Sequence, residues 1–135
     1  MKNVEHIGIA VKDLAVSVPL FEKLLNSICY KTESVASEQV ETAFFKTGET
    51  KIELVQSTKN DGVIARFIEK KGEGLHHIAF EVADIRAEIK RLKEEGFVLL
   101  SEEPKPGADN KLVCFLHPKN TNGVLIEICQ ERLKV

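Results

Sequence analysis

Cysteine is scarce and odd in number. Cys29, Cys114 and Cys129 show neither the spacing of a metal motif nor the pairing of a disulfide framework. Cys114 and Cys129 fall in runs that read as core strands, where a thiol behaves as a small hydrophobe, so the expected role is structural. No apolar run approaches the roughly 18 residues needed to span a bilayer. The opening Met1-Lys2-Asn3-Val4-Glu5-His6 leads directly into a strand pattern, with no apolar leader core, and a cytoplasmic protein is the expectation. A basic excess is missing too: 19 Lys and Arg against 21 Asp and Glu give a net charge of −2. The cations are scattered, which argues against nucleic-acid and membrane-surface partners. What remains is an ordinary soluble composition, 43% hydrophobic and 30% charged, in 135 residues, enough for one domain with a core of its own.

Within that composition the chain repeats itself. His6-Ile7-Gly8-Ile9-Ala10-Val11-Lys12-Asp13-Leu14 returns as His77-Ile78-Ala79-Phe80-Glu81-Val82-Ala83-Asp84-Ile85, a shift of 71 residues from His6 to His77. Ile52-Glu53-Leu54-Val55-Gln56 returns as Ile126-Glu127-Ile128-Cys129-Gln130, a shift of 74 from Glu53 to Glu127. Each copy thus carries one His and one Glu inside an otherwise apolar strand.

Coarse periodicity orders the elements. Residues 4–11 read as a buried strand, and Asp13 as the N-cap of a helix with Leu14, Val18, Phe21 and Leu25 inward. Pro19 lies inside that helix and is expected to bend it. Strands follow at 27–35, 40–47 and 51–56, the last two joined by a turn at Gly48-Glu49. Residues 60–71 form a short amphipathic linker helix. The second copy then runs as a strand at 75–82, a helix capped by Asp84 and stopped at Gly96, and strands at 97–100, 112–117 and 123–130. Residues 102–110, with Pro104, Pro106 and Gly107, read as an irregular rim or lid. The expected fold class is α+β: two tandem β-α-β-β-β modules, about 1–58 and 74–132. They form one curved eight-stranded mixed sheet with helices outside and a concave metal-containing pocket, all within a single domain 1–135.

Alternation tests the polar exceptions. Ile52 and Leu54 flank Glu53, and Ile126 and Ile128 flank Glu127, so both Glu point away from those apolar neighbours. His6 stands in the same relation to Ile7 and Ile9, and His77 to Ile78 and Phe80. All four can share one face and hold one divalent ion. Two His with two carboxylates suit Zn, Co, Ni, Mn or Fe better than Ca or Mg alone. His76 points to the other face and reads as supporting, and Gln56 and Gln130, off the ligand face, read as structural.

The repeated His-Ile-x-Ile/Phe-x-Val openings and the two Ile-Glu strands resemble the vicinal oxygen chelate superfamily over essentially the whole chain. Three stretches resemble its methylmalonyl-CoA epimerase family: Gly74-Leu75-His76-His77-Ile78-Ala79-Phe80-Glu81-Val82, Ser101-Glu102-Glu103-Pro104, and Phe115-Leu116-His117-Pro118-Lys119 with Gly123-Val124-Leu125-Ile126-Glu127. The resemblance implies metal-dependent epimerisation of an acyl-CoA through an enolate, with one divalent ion (Co, Zn, Ni, Mn or Mg) held by His6, Glu53, His77 and Glu127. Glu53 falls where some members of the family carry Gln. The resemblance makes Glu127 one base and Glu41, or alternatively Glu38, the second. It also implies a homodimer. Lys105, Lys111 and Lys119 are candidate cations for the CoA tail. Glyoxalase I shares the fold and the site type, so a glutathione hemithioacetal is the rival substrate. A ring-cleaving dioxygenase would need open positions that Glu53 fills, and a metal-free ligand-binding member would not need the repeated His and Glu.

Overall fold

The computed structural model describes residues 1–132; residues 133–135, included in the expected domain, lie outside the described residues. Among the described residues, eight strands form one mixed sheet in the order β2-β3-β4-β1-β5-β8-β7-β6, with three α-helices. The β-α-β-β-β order occurs twice, as the repeat implies. The chain divides into two compact units: His6–His76, and Met1–Glu5 together with the chain from His77 on.

In the first unit β1 (Asn3–Ala10) leads into α1 (Leu14–Leu25), followed by β2 (Lys31–Val35), β3 (Val40–Thr47) and β4 (Thr50–Ser57). Asp13 caps α1 as expected, its carboxylate accepting from the Ala15 amide at 2.9 Å. Gln56 adds a second tie, its side-chain oxygen accepting from the Leu14 amide at 2.7 Å. The apolar side of α1 then meets β3 and β4 through Leu14, Ala43, Phe45 and Leu54. β2 is shorter than the expected 27–35. The chain leaves α1 through Asn26 in the left-handed region (φ 50°), and the Cys29 amide is taken by the Glu22 carboxylate at 3.0 Å. The linker helix α2 (Val63–Lys71) packs on β4 and belongs to this unit.

The second unit repeats the plan with β5 (Gly74–Glu81), α3 (Ile85–Glu94), β6 (Lys105–Gly107), β7 (Lys111–Leu116) and β8 (Ile126–Glu131). Asp84 accepts from the Ala87 amide at 3.1 Å, and Gln130 accepts from the Ile85 amide at 2.7 Å. Both recurring glutamines therefore pin the first amide of a helix to the sheet, which explains their repetition. Gly96 ends α3 with φ +95°, where an L side chain would be strained. Ile85, Ile89 and Leu92 pack on Cys114, Leu116 and Ile128. Cys114 and Cys129 are fully buried in apolar clusters, in line with the structural reading.

The edge of this unit corrects one expectation. Residues 97–100 form no full strand. Leu99 makes an isolated bridge with Leu116, and backbone bonds join Leu100 to Phe115 and His117 to Val98. β6 lies instead inside the stretch expected to be an irregular lid, with Lys105 opposite Val113. The partner on β7 recedes by three (116 to 113) while the edge advances by six (99 to 105), so three extra residues bulge out of one broken edge strand. Two prolines, Pro104 and Pro106, lack the amides a continuous ladder would use.

The glutamine pins generate a prediction. Removing either one leaves a helix-initiating amide without its acceptor, at a cost of about 1–2 kcal/mol. Gln56→Leu and Gln130→Leu should each lower the urea midpoint accordingly; a midpoint unchanged in both variants would show the pins to be incidental.

Candidate metal centre

In the first unit β1 and β4 run parallel with Gly8 opposite Glu53. Alternation sends His6, Gly8 and Glu53 to one face, while Ile9, Ile52 and Leu54 join the core beneath α1. His6 Nε2 stands 3.5 Å from Glu53 Oε1, and both residues are only 5% exposed. On the other flank of β4, antiparallel β3 sets the buried Phe44 opposite Glu53.

The second unit builds the same arrangement. β5 and β8 run parallel with Ala79 opposite Glu127, and β7 sets Phe115 opposite Glu127. His77 Nε2 stands 3.4 Å from Glu127 Oε1, with the residues 7% and 5% exposed. The edge of the Phe115 ring meets the His77 ring, with centroids 5.8 Å apart at 84°. Each carboxylate thus has a small residue on one flank and a phenyl ring on the other. Phe44 and Phe115 are 71 positions apart, as are Gly8 and Ala79. The repeat shift already contained this signal, but the polar pattern alone does not single these residues out.

One ligand atom each from His6, His77 and Glu127 lies within 4.8 Å of the other two. The donor set suits a divalent ion: neutral imidazole nitrogens and a carboxylate oxygen on buried, strand-held side chains. Two ligands about 2.1 Å from one ion at a tetrahedral angle stand about 3.4 Å apart, the separation seen within each His–Glu pair. Glu53 is not among the three; its carboxylate stands beside His6.

The other candidates read from the sequence fall elsewhere, and register decides most of them. Glu41 pairs with Gln56 across β3 and β4, so it emerges on the face where Gln56 pins α1, opposite to Glu53. The expected second base is therefore not brought to His6. Glu38, the alternate, is half-buried in a 3-10 turn, Ala36–Glu38, before β3. Lys111 is no free cation for a CoA tail: it is buried, with Nζ 3.9 Å from a Glu5 carboxylate oxygen. Lys105 and Lys119 are exposed. His76 packs edge-on against Phe67 of α2, centroids 4.8 Å apart, the supporting place expected of it. Cys129 lies two residues beyond Glu127 on the same strand. Burial, with the Glu127 and Glu5 carboxylates, pushes its thiol far above the usual range, so it stays protonated and a poor metal ligand.

Comparison with known proteins gives this geometry a family. Residues 5–115 match the model of the Glyoxalase/Bleomycin resistance protein/Dioxygenase superfamily. The ethylmalonyl-CoA/methylmalonyl-CoA epimerase of Cereibacter sphaeroides is 41% identical over 95% of this chain and 97% of its own length. The human mitochondrial methylmalonyl-CoA epimerase is 38% identical over 95% of this chain and 73% of its own length. A variant of the Streptomyces coelicolor methylmalonyl-CoA epimerase, solved with 2-nitronate-propionyl-CoA, superimposes with a TM-score of 0.94 at 31% identity, covering 98% and 99% of the two chains. The chain belongs to the glyoxalase/bleomycin resistance protein/dioxygenase superfamily and, within it, to the methylmalonyl-CoA epimerases.

Proposed function

We propose that this protein epimerises methylmalonyl-CoA with the aid of one divalent ion held by His6, His77, Glu127 and Glu53. The observation that carries the reading is the duplicated His–Glu pair, buried on matching strands in both units. Support for the substrate comes from relatives named as a methylmalonyl-CoA epimerase and an ethylmalonyl-CoA/methylmalonyl-CoA epimerase.

The reaction removes the proton on the carbon between a thioester and a carboxylate and returns one to the opposite face of the planar enolate. The ion, when bound, supplies Lewis acidity that stabilises charge on the thioester oxygen. His6 and His77 contribute neutral nitrogen donors, and burial holds their rings in place. Glu127 takes and returns the proton on one face. The second face needs another carboxylate. Register turns Glu41 away, and Glu53 is engaged beside His6, so we assign that role to the half-buried Glu38 in place of Glu41. A carboxylate is monoprotic, so a proton removed on one face cannot be the proton delivered on the other. The exposed Lys105 and Lys119 are the cations left for the phosphates of a CoA tail.

Variants separate ligation from proton transfer. His6→Ala and His77→Ala should lose bound metal and turnover together, measured by elemental analysis beside the assay. Glu38→Gln should retain metal while turnover falls by about 10²–10⁴-fold. Glu53→Gln keeps a carbonyl donor for the ion and should retain both metal and most of the turnover. Glu41→Gln should turn over near the wild-type rate; its inactivation would return the second base to Glu41.

Isotope exchange tests the two-face scheme. In deuterated water one methylmalonyl-CoA epimer should yield the other carrying solvent deuterium at the α-carbon. Glu38→Gln should still exchange that position in one epimer without inverting it. Inversion that keeps the original proton would contradict two monoprotic bases, and isomerisation of the methylglyoxal–glutathione hemithioacetal with both epimers untouched would overturn the substrate.

A further inference from the structure

Cations gather on the ligand-bearing face of the first unit. Register sets Lys46 of β3 directly opposite Lys51 of β4, on the face that also carries the Phe44–Glu53 pair. Lys51 stands opposite His6 as well, across β1 and β4. On β2, Lys31 is opposite Phe44, with its Nζ 5.7 Å from the centre of that ring. Three ammonium groups thus border the surface that holds His6 and Glu53. Tyr30, which leads into β2, completes the group. Its amide donates to the Phe44 carbonyl at 3.1 Å, its ring centre lies 6.3 Å from that of Phe44, and Lys46 Nζ stands 4.9 Å from it. The tyrosine is 40% exposed.

The arrangement is costly as it stands. Side chains directly opposite on neighbouring strands begin about 4.5–5.5 Å apart at Cβ, and like charges there repel. Glu33, on the same face opposite Thr42, lies 3.3 Å from Lys31 and offsets one of the three charges. An anion set between Lys46 and Lys51 would relieve the repulsion that remains. The repeat shows that the fold does not require this pair. The shifts of 71 and 74 that relate the metal ligands carry Lys46 to His117 and Lys51 to Leu125. The two lysines are specific to the first unit, where a ligand and not the fold calls for them.

We propose that Lys31, Lys46 and Lys51, with Tyr30, form the subsite for the phosphates and adenine of a CoA thioester, an inference that rests on the acyl-CoA reading above. Each part of that nucleotide end has its complement. The ammonium groups meet phosphate oxygens in charge-assisted hydrogen bonds, and the exposed tyrosine ring offers a base a stacking face. Distance agrees. Two strand spacings, about 10 Å, separate Lys46 from His6, and the pantetheine arm of a thioester held at the ion covers that gap. The small acyl carboxylate has no use for an aromatic wall and three cations together, so the nucleotide end belongs here. The cluster adds to the exposed Lys105 and Lys119 of the other unit.

Calorimetric titration of the full chain with adenosine 3′,5′-bisphosphate tests the subsite without turnover. Binding should be saturable and weaken about tenfold or more in Lys46→Glu and in Lys51→Glu. Lys46→Arg should keep it, and Lys90→Glu on α3 should leave it unchanged. A second measurement reads the place itself. Tyr30 is the only tyrosine and tryptophan is absent, so tyrosine emission reports on this cluster alone. Inorganic pyrophosphate, which does not absorb the exciting light, should change that emission saturably. Lys46→Glu should abolish the change while keeping the wild-type circular dichroism. Wild-type affinity for the bisphosphate in Lys46→Glu, emission indifferent to pyrophosphate, or inorganic phosphate bound as tightly as the bisphosphate would overturn the proposal. The expected binding in a protein that leaves methylmalonyl-CoA untouched would support the subsite and overturn the epimerase reading instead.

Discussion

Two imidazoles and two carboxylates buried within strands are the constraint on which the rest of the structure depends. A carboxylate without a partner in such surroundings costs several kcal/mol. Each is set beside an imidazole instead, at 3.5 Å in the first unit and 3.4 Å in the second. Those separations exceed the usual 2.7–3.2 Å of a hydrogen bond, and they match ligands that share an ion. The arrangement can exist only if alternation is kept strictly, because a one-residue slip would send every ligand into the helix-covered core. Leu54 and Ile128, next to Glu53 and Glu127, anchor that opposite face and are fully buried. Gln56 and Gln130 then fix where α1 and α3 begin over it.

Much of the fold was legible because its signals are local and occur twice. Asp13 and Asp84 cap helices as read, and the β-α-β-β-β order follows from the repeat. Failures cluster at the edge strands. Residues 27–30 have strand-like composition, but the Glu22 side chain takes the Cys29 amide and holds the helix exit. Residues 97–100 alternate like a strand, yet the run breaks within three residues of bridging Leu116. No periodicity marks such a bulge, since it depends on register with a strand more than ten residues away.

The candidate centre divides in the same way. His6, Glu53, His77 and Glu127 stood out because polar residues in apolar strands are costly and these recur at matched positions. Glu41 could not be placed from sequence, because its face depends on how β3 registers against β4, and the pairing with Gln56 turns it toward α1. Lys111 looked like a surface cation, whereas packing buries it beside Glu5. Phe44 and Phe115 went unnoticed as apolar residues among many, although the same 71-residue shift relates them.

The central claim is that the duplicated His–Glu pairs hold one ion. X-ray absorption on the zinc-loaded protein tests it most directly. The account predicts one ion per chain, with multiple scattering from two imidazoles and a first shell of nitrogen and oxygen at about 2.0–2.2 Å. A sulfur shell near 2.3 Å would implicate Cys129. That result, scattering from a single imidazole, or binding well below one ion per chain would contradict the account.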